Sequence, residues 1–306
     1  VARVALGVAV ALGFPPPGAV FTPPAMLPAE TAAPEAVPDA TTNQDAGISL
    51  PEATSPGCTG GALSIVAHTD DDLLFMNPSL MRLIGSNTCV YSVYVTAGDA
   101  GRPADYWQSR ERGAMAAYAH MAAVADDWST NQITTHALRM LTLKANPHIH
   151  LVFMRLPDGM QRGQGVQSTR FVSLTKLWTG VITTITAVDG SATYSRDQIV
   201  ATLGDLMHIT QPTVIRTLDY VGNYRDTDHA DHHTVAYFTR EASTRYTAHH
   251  TLIAYQGYPI ASRKANVSAS DARAKLETFN IYAKYDAVAQ NRTYITREYI
   301  RDQTST

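Results

Sequence analysis

From Gly61 onward, short continuous apolar runs alternate with stretches of helical periodicity, and that alternation restricts the chain to few architectures. The runs are LSIVA (63–67), VYSVYVT (90–96), HLVFMRL (from 150), TVIRTLD (213–219) and HTLIAYQGY (250–258). Between them, Asn77-Pro78 supplies an N-cap and an N1 proline for a short helix ending near Gly85. An alanine-rich helix runs to about Ala125, and SRDQ (195–198) is a capping-box signature ahead of IVATLGDLMHI. DHHTVAYFTREAS and SDARAKLETFNIYAKY (270–285) complete the helices, and no internal repeat is present. The pattern predicts an α/β sandwich with a mostly parallel sheet. In such sheets functional groups gather where strands end and helices begin.

Two unusual clusters stand at such points. AHTDDD (67–72) follows the first strand, and three adjacent carboxylates repel one another unless solvated or held by a cation. DTDHADHHTVAYF (226–238) follows the fourth strand after a short loop and offers His229, Asp231, His232 and His233. His68 and Asp71, joined by His232, would give two neutral ligands and one anion, a set suited to Zn²⁺ or another divalent transition metal. Asp70 and His229 would then stand beside the metal for proton transfer and oxyanion stabilisation. The spacings alone do not choose among these groups.

AHTDDD resembles the AHPDDE motif of the PIG-L/LmbE-like N-acetylglucosaminyl deacetylases, and HADH (229–232) is similar to that family's histidine-x-aspartate-histidine motif. VYVTAGDAG, YWQSRERG and RLPDG resemble segments of its exported branch, so that the likeness covers residues 60–290. It implies a Rossmann-like three-layer sandwich, LmbE-like in fold. It implies zinc held by His68, Asp71 and His232, Asp70 as general base, and His229 as the group that polarises the acetamide carbonyl. Asp231 would orient a histidine ring. The implied reaction is removal of the N-acetyl group from an N-acetylglucosamine-type sugar or glycan. Asp70 takes a proton as water attacks, protonated His229 holds the oxyanion, and acetate leaves a free amine. Thr69 replaces the family's usual proline and Asp72 its glutamate, so that any salt bridge Asp72 makes must be re-aimed.

Other readings stay open. A sugar-binding protein that has lost turnover would keep the same fold, and a metal-dependent amidase could act on a non-glycan acylated small molecule. Arg110, Trp107 and Asp99 lie behind the second strand and are candidates for sugar contact, although Trp107 equally fits helix packing and Arg110 a carboxylate pair. Asp158 in RLPDG reads as a turn residue, and His233 as packing or surface. HIH (148–150) is the strongest competing metal pair, but it opens its strand, as does His249-His250. His120 reads as structural, and the tyrosine-rich stretch from Thr278 to Ile300 as helix packing.

The net charge of −3 gives no electrostatic reason to expect a nucleic acid partner or an anionic membrane. Residues 1–13 form an apolar run of signal-peptide length, too short to span a bilayer comfortably, and eight of the 16 prolines lie between Pro15 and Pro38. Residues 1–56 therefore read as a residual export signal and a Pro/Ala/Thr-rich linker, and 57–306 as the zinc deacetylase domain of a secreted protein. Cys58 and Cys89 precede two strands that would be parallel neighbours, which would place a disulfide between their N-terminal ends. Asn266 and Asn291 fit the N-glycosylation pattern. Oligomeric state and the particular acetylated substrate are not encoded in any of these features.

Overall fold

The computed structural model describes residues 58–133, 138–289 and 292–306. The export and linker segment and Asn291 lie outside the described residues. In chain order the elements are β1 (Ala62–Val66), α1 (Asp71–Phe75), α2 (Ser79–Gly85), β2 (Val90–Thr96), α3 (Ala104–Met121), β3 (Trp128–Gln132), β4 (Arg139–Leu143) and β5 (Ile149–Leu156). They continue with α4 (Leu174–Trp178), β6 (Thr184–Thr186), β7 (Thr193–Ser195), α5 (Arg196–Thr210), β8 (Val214–Thr217), α6 (Ala230–Ser243), β9 (Thr251–Tyr255), α7 (Ala269–Tyr282) and β10 (Ile300–Ser305).

Eight strands form one sheet in the order β10-β9-β8-β1-β2-β5-β4-β3, and β6 and β7 make a separate hairpin. The five central strands are parallel, whereas β10, β4 and β3 pair antiparallel at the two ends. All residues of β1 and β2 are buried, as expected for parallel strands covered on both faces. From β1 the chain moves outward through β2 to β5, then returns to β8 on the other side of β1 and moves away to β9. With right-handed crossovers, this reversal puts the helices on opposite faces. α3 packs on α7 and α5 on α6, giving three layers. The reversal also opens a crevice at the C-terminal ends of β1 and β8, the place where α/β sheets bind ligands.

Several local expectations change. Pro78 takes the N-cap position of α2, not N1, because α2 begins at Ser79. Asn77 still caps through its side chain, whose Oδ1 accepts from the Met81 backbone N–H at 3.1 Å. The capping box at Ser195 and Gln198 is present in full. Beyond α7 the tyrosine-rich C-terminal stretch is not helical: it crosses the molecule irregularly and ends as β10 on the edge of β9. Asn266 is held by Glu298 through both ends of its amide. Cys58 and Cys89 form a disulfide with Cα atoms 5.9 Å apart, made feasible by the direct pairing of β1 with β2. No helix among the described residues is long and apolar enough to cross a membrane.

Candidate active site

The first cluster is held by the turn from β1 into α1. His68 and Asp71 are buried, and the Asp71 Oδ2 accepts from the His68 backbone N–H at 2.7 Å, which locks the turn. His229 is the N-cap of α6, its ring nitrogen Nδ1 accepting from the Asp231 backbone N–H. One turn on, His232 projects from α6 toward α1, with Nε2 3.1 Å from Asp71 Oδ1. His68 and His229 meet edge to face, ring centroids 4.6 Å apart. The crevice thus brings together all six residues named by the two motifs: His68, Asp70, Asp71, His229, Asp231 and His232.

Donor atoms of His68, Asp71 and His232 lie within 4.8 Å of one another, and so do those of His68, Asp158, His229 and Asp231. The Nε2 atoms of His68 and His232 are buried and make no well-formed hydrogen bond, although carboxylate oxygens of Asp231 and Asp71 stand 3.6 and 3.1 Å from them. With protein groups alone, burial would lower both imidazoles, yet Asp71 and then Asp228 hold His232 at about 10, and Asp71 above all raises His68 well beyond its usual value. Burial would raise Asp71, but His232 and His68 keep it well below the ordinary carboxylate range. Such a cluster stabilises positive charge, and a divalent metal displaces the ring protons by binding the same nitrogens. Two imidazoles and a carboxylate at this spacing fit a tetrahedral zinc with an open position.

Asp70 turns from the cluster toward α3. Its Oδ1 accepts from Arg110 Nη2 at 2.8 Å, while Arg110 Nε lies 2.9 Å from Asp286 Oδ2 and Nη1 donates to the Gly98 carbonyl. Gly98 has φ +56°, and a β-carbon there would stand 2.1 Å from the guanidinium, so only glycine admits this approach. Burial raises the Asp70 carboxyl and Arg110 opposes it. Tyr282 joins the same network, donating to Asp286 and meeting Thr69 Oγ1 at 3.1 Å, which gives the unusual Thr69 a partner.

His229 departs from the expectation of a protonated ring. Burial, with the charge of His68, pushes it down to about 4. Because Nδ1 accepts from the backbone, its proton sits on Nε2, which points toward Asp158 Oδ1 3.9 Å away and into the cavity. A neutral ring can still donate one hydrogen bond from that position. The third carboxylate of the acidic run is also settled. Among the described residues Asp72 makes no salt bridge; it is buried and accepts from the hydroxyls of Tyr94 and Tyr118, and burial pushes it up to about 7. Three adjacent carboxylates coexist because they point into three different environments.

A cavity of about 330 Å³ opens over His68, Asp70, Arg110, Asp158 and His229 and is lined as well by Tyr258, Phe279 and Tyr294. Of the three candidates for sugar contact only Arg110 lines it, and that guanidinium is committed to carboxylates. Trp107 and Asp99 face a neighbouring cleft, since Trp107 is one position round the helix from Tyr106 and Asp99 receives the backbone N–H groups of Gly101 and Asp158. Asp158 corrects its turn assignment: Oδ1 accepts from Met160, but Oδ2 lies 3.8 Å from His68 Nε2. His233 is buried between the Asp219 carbonyl and Asp226, and His120 lies on the exposed face of α3. His150 stacks on Tyr91 beside the disulfide at the opposite sheet edge, where the bridged cysteines offer no thiolate.

Sequence reasoning missed Asp228, Asp286, Tyr258 and Tyr282. Asp228 Oδ1 lies 2.7 Å from His232 Nδ1 and also accepts from the Tyr258 and His229 backbones. The only available signal was an aspartate one helical turn before a proposed ligand. The others come from the C-terminal part, which carries no motif.

Among solved structures, N,N'-diacetylchitobiose deacetylase from Pyrococcus horikoshii is similar at 14% identity and TM-score 0.46, over 83% of this chain and 87% of that one. A triple mutant of a deacetylase of the teicoplanin biosynthetic pathway is similar at 15% identity and TM-score 0.43, over 75% and 82%. The 4-carboxy-2-hydroxymuconate hydratase GalB from Pseudomonas putida is similar at 14% identity and TM-score 0.43, over 81% and 96%. No curated protein sequence matches. The profile of the family PIG-L, GlcNAc-PI de-N-acetylase, matches residues 63–243, which include β1 from Leu63 onward, both histidine motifs and all of α6. The chain belongs to the PIG-L family of de-N-acetylases.

Proposed function

We propose that the protein is a secreted zinc-dependent hydrolase that removes the N-acetyl group from an N-acetylglucosamine-type sugar or glycoconjugate. The observation that carries this reading is the convergence of buried donor atoms from His68, Asp71 and His232, all within 4.8 Å of one another. These three residues hold the metal, and Asp228 fixes the His232 tautomer from behind. Bound zinc supplies a Lewis acid beside which water ionises near neutral pH and a carbonyl oxygen is polarised.

The remaining steps belong to the chain's own groups. Asp70 lines the cavity and is aimed by Arg110, which places a carboxylate where it can take the proton of the attacking water and return it to the departing amine. His229 presents Nε2–H to the cavity and donates to the acetamide oxygen as charge builds there. Asp158 and Asp231 flank that ring and His68, holding both in place. Residues 57–306 form the catalytic domain, with 1–56 as export segment and linker. The disulfide and the apolar run at residues 1–13 support passage through an oxidising compartment.

The test is acetate release from N-acetylglucosamine and short chitooligosaccharides by zinc-loaded protein. Asp70→Asn should abolish turnover while metal content stays at the wild-type level. Turnover by metal-stripped protein would overturn the proposal.

A further inference from the structure

A sulfur–nitrogen cluster lies at the end of the sheet opposite the crevice. Cys58 precedes β1, Cys89 precedes β2, and His150 is the second residue of β5, and these three strands lie side by side. Both Sγ atoms and a ring nitrogen of His150 fall within 4.8 Å of one another. His150 Nε2 stands 3.7 Å from Cys58 Sγ. A sulfur and a nitrogen bound to one tetrahedral zinc, at about 2.3 and about 2.0 Å from it, lie roughly 3.5 Å apart. The ring therefore already stands where a metal shared with that sulfur would hold it.

The donors are fixed by their surroundings. The Ala62 backbone N–H donates to the Cys89 carbonyl at 2.8 Å, and the Tyr91 hydroxyl donates to the Cys58 carbonyl. The His150 ring stacks on Tyr91 with planes 9° apart, and its Nδ1 meets Thr142 Oγ1 at 2.9 Å. A hydroxyl that accepts from Nδ1–H leaves the Nε2 lone pair aimed at the sulfurs. Cys89 and His150 are buried, whereas Cys58 is only half-buried and leaves an ion a way in. The cluster holds no carboxylate, so two thiolates alone would balance the charge of a dication.

We propose that when the Cys58–Cys89 bridge is open, Cys58, Cys89 and His150 form a second metal site, which takes a thiolate-preferring divalent cation such as zinc. The metal then ties the starts of β1, β2 and β5 together in place of the disulfide. A dithiol opens the bridge by giving it two electrons and two protons and itself becomes a disulfide. Zinc binds both sulfurs and Nε2, releasing the two thiol protons. Bridge and metal exclude each other because they use the same sulfur electrons. The inference is independent of the deacetylase reading.

Cobalt distinguishes this site from the crevice, because thiolate ligands give Co²⁺ an intense near-ultraviolet charge-transfer band and His68, Asp71 and His232 contain no sulfur. The full chain, either oxidised or reduced with a phosphine, is titrated with Co²⁺ and then with Zn²⁺. The reduced chain should show the band and take up one more zinc per chain than the oxidised one. Reduced His150→Gln should bind cobalt there at least about 10- to 100-fold more weakly, since even an orienting partner of a ligand is worth that much. No band in the reduced wild type, or an affinity unchanged in His150→Gln, would overturn the site. Closure of the bridge gives a second reading that does not require the reduced chain to stay folded without metal. Zinc should slow re-formation of the disulfide by oxidised glutathione in wild type and not in His150→Gln; equal rates with and without zinc, or equal slowing in both proteins, would refute the proposal.

Discussion

Asp228 Oδ1 lies 2.7 Å from Nδ1 of His232, four residues on, and this contact decides which nitrogen of the ring faces Asp71. A carboxylate behind a ligating imidazole fixes its tautomer and raises its basicity. Asp228→Asn keeps an acceptor for the Tyr258 and His229 backbones but loses the charge. Zinc affinity should fall by about 10- to 100-fold, measured by competition with a chromophoric chelator. An unchanged affinity would show that His232 is not a ligand.

Arg110 serves Asp70, Asp286 and the Gly98 carbonyl through one planar fork. A lysine cannot reproduce that geometry. Arg110→Lys should lower kcat by roughly tenfold or more, because Asp70 loses its aim. Arg110→Met leaves the buried Asp286 and the part-buried Asp70 uncompensated and should cost about 3 kcal/mol in urea unfolding. A variant with wild-type kcat would remove Arg110 from the positioning of Asp70.

Metal removal should act on stability as well as on turnover. Ligand that binds only the folded state contributes about 4 kcal/mol at a thousandfold excess over Kd. Exhaustive chelation should therefore lower the thermal midpoint and stop acetate release together, and zinc should restore both. A midpoint indifferent to chelator and zinc would speak against a metal at His68, Asp71 and His232.

Lys275 is buried, and its amine donates to the Tyr294 and Arg297 carbonyls, tying down the C-terminal segment that brings Tyr294 to the cavity. Burial pushes it down to about 7 from 10.5, with Glu298 opposing. Between those values the unfolded chain holds a proton that the folded one lacks, so stability rises with pH across this window. Below pH 7 both states are protonated and the full cost of burying the charge applies. Urea midpoints taken from pH 7 to pH 10 should rise less in Lys275→Met than in wild type. Parallel curves would show that the amine stays charged in the fold.

The disulfide spans a sequence separation of 31 residues and lies at the edge of the sheet away from the crevice. Cys58→Ser/Cys89→Ser should lose about 3 kcal/mol of stability, read from denaturant unfolding. Its zinc affinity should match wild type; a large loss would mean that the bridge holds the crevice as well as the strand ends.

The central architecture is legible in the sequence because a strand covered on both faces must be a continuous apolar run, as Ala62–Val66 and Val90–Thr96 are. The crevice is legible for a related reason: one motif directly follows such a run and the other follows one after a loop, at the two strands flanking the topological reversal. WSTNQ in β3 and IRDQTS in β10 escape notice because edge strands are exposed and polar, leaving no alternation to read. Asp286 escapes because its partner Arg110 lies on a distant helix, and only packing of α7 on α3 brings them together. Asp158 shows a different limit, since one oxygen makes the turn its sequence announces while the other enters the site. The charge state of His229 depends on burial, which no local pattern reports.

β10 runs antiparallel along β9, from Ile300 opposite Tyr255 to Ser305 opposite Thr251. It is mostly exposed and contributes little to the core, yet it occupies the row of backbone donors and acceptors that β9 would otherwise present. A chain shortened before Ile300 would keep every residue of the crevice and gain a sticky strand. Such a truncation should remain folded but self-associate with concentration, so that solubility is guarded by the six residues farthest from the chemistry in kind.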